Sequence, residues 1–426
     1  MPQNGKLAIL VGGGPAPGIN SVIAAASIRA SLEDIEVLGI RDGFSHLMKG
    51  DANHVTPLTI DRVSRIHFRG GAAIGTSRAN PTRDPDAMAA TIKTLSSLGV
   101  TQVLTIGGDD TAYSARGLAQ ASDLRVVHVP KTIDNDLDLP PNVDTFGFQT
   151  ARHVGVELIQ NLMVDAKSTS RWYFVIAMGR KAGHLALGMG KAAGATLTLI
   201  PEEFGDEPVS VDRLVDILAG AVIKRRAEGR SDGVAVIAEG VFSGIREEDL
   251  ATIGSVEHDE HGHLRLAEID IGRVLRHRVR DSLAAMGVES TIVSKDIGYE
   301  LRSADPIPYD MEYTRDLGYC GAKYLMEGGS GVMVSMQEGR FVPVRFEELM
   351  DPQTGRMRVR MVDIHSTRYA IARRYMIRLR KDDFDDPKVL QHLADSCGLS
   401  VQAFQERFGH VCDGELPPLH LDTGTA

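Results

Sequence analysis

Two short segments carry the charges needed to move a phosphoryl group: Gly107-Gly108-Asp109-Asp110-Thr111 and Pro130-Lys131-Thr132-Ile133-Asp134-Asn135-Asp136. Adjacent carboxylates after an apolar run are costly unless one of them meets a cation. Mg²⁺ needs only one or two protein carboxylates and fills its shell with water and phosphate oxygens, so Asp109 alone suffices as a metal ligand. Helix capping by Asp110 is the competing use of the pair. In the second segment Asp134 can take a hydroxyl proton as a general base while Thr132 hydrogen-bonds sugar or phosphate. An Asx turn is the plainer reading of Asp-Asn. Met178-Gly179-Arg180 supplies an arginine suited to stabilising charge on a transferring phosphoryl group. Glu239 and Arg302, the latter in Gly298-Tyr299-Glu300-Leu301-Arg302, suit sugar hydroxyls and a sugar phosphate, although each alone reads as a surface ion pair.

Elements must bring these segments together. Val103-Leu104-Thr105-Ile106 and Val126-Val127-His128-Val129 are apolar, β-branched runs, so both charged segments follow strands at the carboxyl edge of a parallel sheet, where open α/β sheets place ligands. Lys6–Val11, a turn over Gly12–Gly18 and a helix over Ile19–Ala30 form a strand, glycine loop, helix unit whose N–H groups suit a phosphate. The loop is neither GxGxxG nor a Walker A loop, and a purely structural turn is its alternative. Further strands are expected at 37–40, 172–177, 196–200, 233–238, 291–293 and 331–334, alternating with helices, which predicts parallel sheets covered by helices. Arg171 lies at the opposite end of its strand from Arg180 and points to a different site, across a subunit interface.

The bulk properties narrow the class. A chain of 426 residues with 43% hydrophobic content is long enough for two domains. A formal charge of -10 argues against nonspecific nucleic-acid binding, and no apolar run approaches the roughly 20 residues that span a bilayer. Met1–Gly5 lead into the first strand without a signal peptide, so a cytoplasmic location is expected. Cys320, Cys397 and Cys412 are in no CxxC spacing and read as reduced and incidental. His261-Gly262-His263 reads as a solvated loop, Lys224-Arg225-Arg226 as an exposed helix face, and 380–426 as a polar helical extension with a frayed tail.

The ordered set GGDDT, PKTIDND, MGR, Glu239 and GYELRSADPIPYD resembles the phosphofructokinase family, specifically its pyrophosphate-dependent branch, over residues 6 to 325. The resemblance implies that Asp109 binds Mg²⁺ and Asp134 is the base. Thr132, Met178, Gly179, Arg180, Glu239 and Arg302 match fructose 6-phosphate contacts, and Ile133 and Tyr299 lie in the same stretches. Gly13 and Arg78 match contacts to the donor phosphates, and Arg171 matches an arginine given to a neighbouring subunit's sugar phosphate. ATP-using members carry Gly where this chain has Asp110 and Lys131. A carboxylate at Asp110 would crowd an ATP α-phosphate, since two like charges about 4 Å apart cost on the order of 4 kcal/mol at an effective dielectric near 20. Lys131 would reach pyrophosphate and steady the transition state. The chain departs from the family pattern in three places: at Pro15, around Arg302 in Leu301-Arg302-Ser303-Ala304, and at Met311.

The expected architecture is α/β, two Rossmann-like three-layer domains with mainly parallel sheets and the active site in the cleft between them. A donor domain would span 1–145 and about 306–365, and a sugar-phosphate domain 146–305 and about 366–426. The expected reaction is reversible, Mg²⁺-dependent transfer from pyrophosphate to the 1-hydroxyl of fructose 6-phosphate, serving glycolysis or gluconeogenesis in a homodimer or homotetramer. Its rivals are ATP as donor, sedoheptulose 7-phosphate as acceptor, and a catalytically silent sugar-phosphate sensor.

Overall fold

The computed structural model describes residues 5–140, 142–205, 208–246, 248–249, 270–351, 353 and 357–421. His261-Gly262-His263 lies outside them. The chain divides into two compact units, Met1–Val154 with Tyr299–Arg360, and Gly155–Gly298 with Met361–Ala426. Both are α/β, and among the described residues no helix is long and apolar enough to cross a membrane.

In the first unit, β1 (Lys6–Val11), β2 (Val37–Ile40), β3 (Val55–Pro57), β4 (Val100–Gly107), β5 (Arg125–Thr132), β11 (Val332–Gln337) and β12 (Arg340–Arg345) form one sheet. Its order is β12-β11-β5-β4-β1-β2-β3, with the two-residue β6 (Phe146–Gly147) added beside β5. The pairings are parallel except β2 with β3 and β11 with β12. Leu7 to Val11 are all fully buried, the signature of a central parallel strand covered on both faces. Each fully buried Leu, Ile or Val contributes about 1.5–3 kcal/mol of transfer free energy. The strands at β3, β6 and β12 are additions to the expected set: all three are short or lie at an edge, where the apolar run is weak. The helix over Asp109–Ala121 starts at Asp109 with Gly108 as its N-cap residue, and no side chain caps it. Asp110 is therefore not a cap.

The second unit has a four-stranded, all-parallel sheet, β10-β7-β9-β8. Its strands are β7 (Arg171–Ala177), β8 (Leu197–Leu199), β9 (Gly233–Ala238) and β10 (Thr291–Ile297). β10 runs four residues past its expected end because its parallel partner β7 continues alongside it to Ala177. The segment from Arg380 is helical over Lys381–Asp385, Pro387–Ser396 and Val401–Phe408 and buries Leu390, Leu393, Phe404 and Phe408. It also corrects the reading of Lys224-Arg225-Arg226. Lys224 pairs with Asp383 at 2.6 Å and Arg225 with Asp232 at 3.7 Å, both largely buried, leaving only Arg226 exposed.

Glu203 is the ionic anchor of the stretch that leads into this segment. It accepts from Arg378 at 2.8 Å and from Arg373, with all three side chains withdrawn from water. Burial pushes its pKa up, but Arg378 and Arg373 outweigh that and hold it below the ordinary carboxylate value. Its stabilising effect is thus complete above the unfolded value of about 4.3 and is lost as pH falls through the lower folded value. Glu203→Gln leaves two buried guanidiniums without a counter-charge and should cost about 3–5 kcal/mol near neutral pH, read from urea unfolding. The deficit should shrink as the pH of the unfolding experiment is lowered through the folded value.

Candidate active site

Parallel register sets three loops level at one edge of the first unit's sheet. Val11 pairs with Ile106, and Ile106 with Val129, so the segments after β1, β4 and β5 leave the sheet side by side. Gly12 N–H donates to the Ile106 carbonyl at 2.8 Å, and Gly13 N–H to the Ser77 carbonyl at 2.8 Å. The second bond brings the Gly75–Arg78 loop to Gly13 and leaves Arg78 exposed next to it. Thr111 locks the first two loops together. A Cβ on Gly12 or on Gly107 would lie 2.3 or 2.4 Å from the Thr111 side chain, so both positions need glycine.

Opposite charges converge here. Lys131, 5% exposed, donates its Nζ to the Gly14 carbonyl at 2.6 Å. The Arg302 guanidinium stands 3.4 Å from the point where a Gly14 Cβ would be, and stacks over Tyr299 with 5.2 Å to the ring centre. Two cations thus flank the glycine loop. Asp109 is partly exposed and Asp110 exposed, at the first two positions of their helix. Negative charge is favourable there, at the positive end of the helix dipole. For a divalent cation the fit is chemical: partly exposed carboxylate oxygens are the hard donors Mg²⁺ takes, and they leave most of its shell to water and phosphate.

The loop after β5 is tightly held. The Thr132 hydroxyl accepts from Asp134 N–H at 3.1 Å, and Asp134 itself is 4% exposed. Ile133 is buried between them. Asn135 takes a left-handed conformation, φ 56°, and its side chain accepts from Thr145 N–H and donates to Asp144, each at 3.0 Å. The Thr132 hydroxyl and the Asn135 side chain thus hold the loop on both sides of Asp134, whose own N–H makes one of these bonds.

The second unit assembles a smaller group. Gly179 N–H and Arg180 N–H both donate to one Glu239 oxygen, at 3.0 and 2.6 Å. Met178 N–H donates to Ile297. Arg180 has φ 53°, unusual for a side chain of its size, and is exposed. Glu239 therefore shapes the Met178–Arg180 loop as well as offering its other oxygen. Arg171 opens β7 at the far end of that strand from Arg180 and lies 3.9 Å from Asp165.

Elsewhere in the first unit His46, Asp51 and His54 bring ligand atoms within 4.8 Å of one another. The two rings are stacked, 3.5 Å apart and 8° from parallel, so their in-plane lone pairs do not converge on one ion.

Sequence reasoning missed two side chains. His128, fully buried in β5, reaches the Gly107 carbonyl with Nε2 at 3.0 Å and the Thr105 hydroxyl with Nδ1 at 2.8 Å. A carbonyl only accepts, so Nε2 carries the proton and Nδ1 accepts from Thr105. The signal was a polar residue inside an apolar strand. Arg360 bonds the Asn135 loop from more than two hundred residues away, and no local pattern announces it.

The phosphofructokinase family model matches residues 6–325. The chain is 51% identical to a pyrophosphate--fructose 6-phosphate 1-phosphotransferase of Thermotoga maritima, covering 97% of this chain and 99% of that one. It is 45% identical to the protein of the same name from Naegleria fowleri, covering 95% of each. In fold it is similar to the crystal structure of a pyrophosphate-dependent phosphofructokinase from Marinobacter aquaeolei, with TM-score 0.66, 17% identity, and 92% of this chain and 91% of that one covered.

Burial holds the His128 imidazole down at about 3, with Lys131 adding to the effect, so it stays neutral in the folded protein. The unfolded chain binds a proton there below about pH 6.5, so stability falls as pH drops from that value towards 3. From pH 6.5 to 5 this one group should cost on the order of 2 kcal/mol. His128→Gln should flatten that part of the stability profile, measured by urea unfolding of both proteins across the range.

Proposed function

Since this chain belongs to the phosphofructokinase family, we propose that it reversibly transfers a phosphoryl group from pyrophosphate to the 1-hydroxyl of D-fructose 6-phosphate, giving fructose 1,6-bisphosphate and phosphate. The observation that carries the choice of donor is Lys131, a buried ammonium held against the glycine loop by the Gly14 carbonyl. The names of the full-length relatives support the same donor and acceptor.

Asp134 takes the proton of the sugar 1-hydroxyl as its oxygen attacks one phosphorus of pyrophosphate. The bond from that phosphorus to the bridging oxygen breaks, and phosphate leaves. Lys131 and Arg180 stabilise the charge spread over the transferring group and the leaving oxygen, which in a dry site is worth far more than in water. Gly13 and Arg78 bind the donor phosphates. Asp110 excludes a longer polyphosphate chain by occupying and repelling the space of its inner phosphate. Thr132, Ile133, Met178, Gly179, Glu239, Tyr299 and Arg302 hold the sugar phosphate. Mg²⁺ held at Asp109 would neutralise donor charge and orient its oxygens. Arg171 serves the sugar phosphate of a neighbouring subunit, which makes the working enzyme a homodimer or homotetramer. It acts in the cytoplasm, in glycolysis or gluconeogenesis.

Initial rates with fructose 6-phosphate and Mg²⁺ should show turnover with pyrophosphate and little with ATP. Turnover with ATP alone would overturn the donor, and turnover with neither would move attention to sedoheptulose 7-phosphate or to a sensor. Asp134→Asn should lower kcat by about 10²–10⁴-fold, the usual contribution of a positioned base. Asp110→Gly should raise the rate with ATP relative to pyrophosphate. An unchanged ratio would refute the steric and electrostatic role given to that carboxylate.

A further inference from the structure

We infer that Arg360 is a positioning residue for the proposed base, clamping the loop that presents Asp134 to the sugar hydroxyl. This rests on the reading of Asp134 given above. The guanidinium donates from Nε to the Asn135 carbonyl at 3.2 Å, from Nη1 to the Val143 carbonyl at 2.8 Å, and from Nη2 to the Asn135 side-chain oxygen. Its own N–H donates to the Asp136 carbonyl at 2.8 Å, and the neighbouring Val359 makes an isolated antiparallel bridge to Leu137. One side chain therefore grips the residue after Asp134 by both its carbonyl and its side chain, and ties it to the return arm of the loop at Val143.

The grip matters because of the conformation it meets. Asn135 has φ 56°, a region that costs a non-glycine residue energy unless its surroundings enforce it. That one residue sets the direction in which the chain leaves Asp134. Three guanidinium nitrogens, each with its own acceptor, fix the loop in plane and in orientation. An ammonium cannot reproduce this, because it lacks the planar fork. Burial lowers the pKa of Arg360, and the carboxylates of Asp144, Asp138 and Asp136 work against that shift, so a cation is tolerated in a half-buried place. A misplacement of about 1 Å at a catalytic group can cost on the order of 100-fold in rate.

The test uses the full chain with Arg360→Lys, Arg360→Ala and Asp134→Asn, each assayed with pyrophosphate, fructose 6-phosphate and Mg²⁺ beside the wild type. Arg360→Lys keeps charge and bulk, so it remains a readout even if Arg360→Ala does not fold. The expected result is a kcat about 10- to 100-fold lower in Arg360→Lys, with KM for both substrates within about threefold of wild type. Guanidinium ion, but not methylammonium, should partly restore kcat in a folded Arg360→Ala. A wild-type kcat in Arg360→Lys, or a loss confined to KM or to thermal stability, overturns the clamp while leaving the proposed reaction standing. An inactive wild type, or an Asp134→Asn variant as active as wild type, instead overturns the reading on which the clamp rests.

Discussion

The register of three parallel strands is the constraint on which the rest of the first unit depends. With Val11, Ile106 and Val129 level, three loops that are far apart in sequence must leave the sheet at one edge. A slip of one residue in β5 would turn every side chain to the opposite face, taking Lys131 from the glycine loop and His128 from Thr105 and Gly107. The register is set by burial on both faces, since every residue from Val126 to Lys131 is withdrawn from water.

Charge at this edge is handled by separation of duties. The cations, Lys131 and Arg302, stand against the glycine loop. The carboxylates of Asp109 and Asp110 stand at a helix start, where the backbone already favours negative charge. Beneath them His128 contributes hydrogen bonds and no charge, because burial disfavours the imidazolium and the nearby Lys131 adds to that. In the second unit the same division appears on a smaller scale: Glu239 spends one oxygen on two backbone N–H groups, and this fixes the loop from which Arg180 projects.

Much of this was legible in the sequence, and the reasons are physical. Central parallel strands are continuous apolar runs, so β1, β4, β5, β7 and β9 could be read directly, and the loops after them were marked by glycine and aspartate. What escaped depends on partners distant in the chain. Lys224 and Arg225 look like a solvated face until Asp383 and Asp232 are folded against them. Asp110 looks like a cap because its residue type suits one, yet the helix already begins at Asp109, which puts that carboxylate in the first turn rather than at the cap. Arg360 sits in a stretch of alternating arginines, and only the structure distinguishes it from its exposed neighbour Arg358.

The unequal burial of Asp110 and Lys131 has an evolutionary consequence. Asp110 is exposed, and its main-chain carbonyl accepts from Ser114 at 2.9 Å, a bond that any residue at that position could make. Lys131 is buried and bonded into the glycine loop. If both govern the choice of phosphoryl donor, the two are not equally free to drift. A lineage can lose the carboxylate with little effect on folding, whereas loss of the lysine empties a packed space and frees a carbonyl. Switches of donor along this branch should then begin at the helix start, with the strand end following once the loop has found another support.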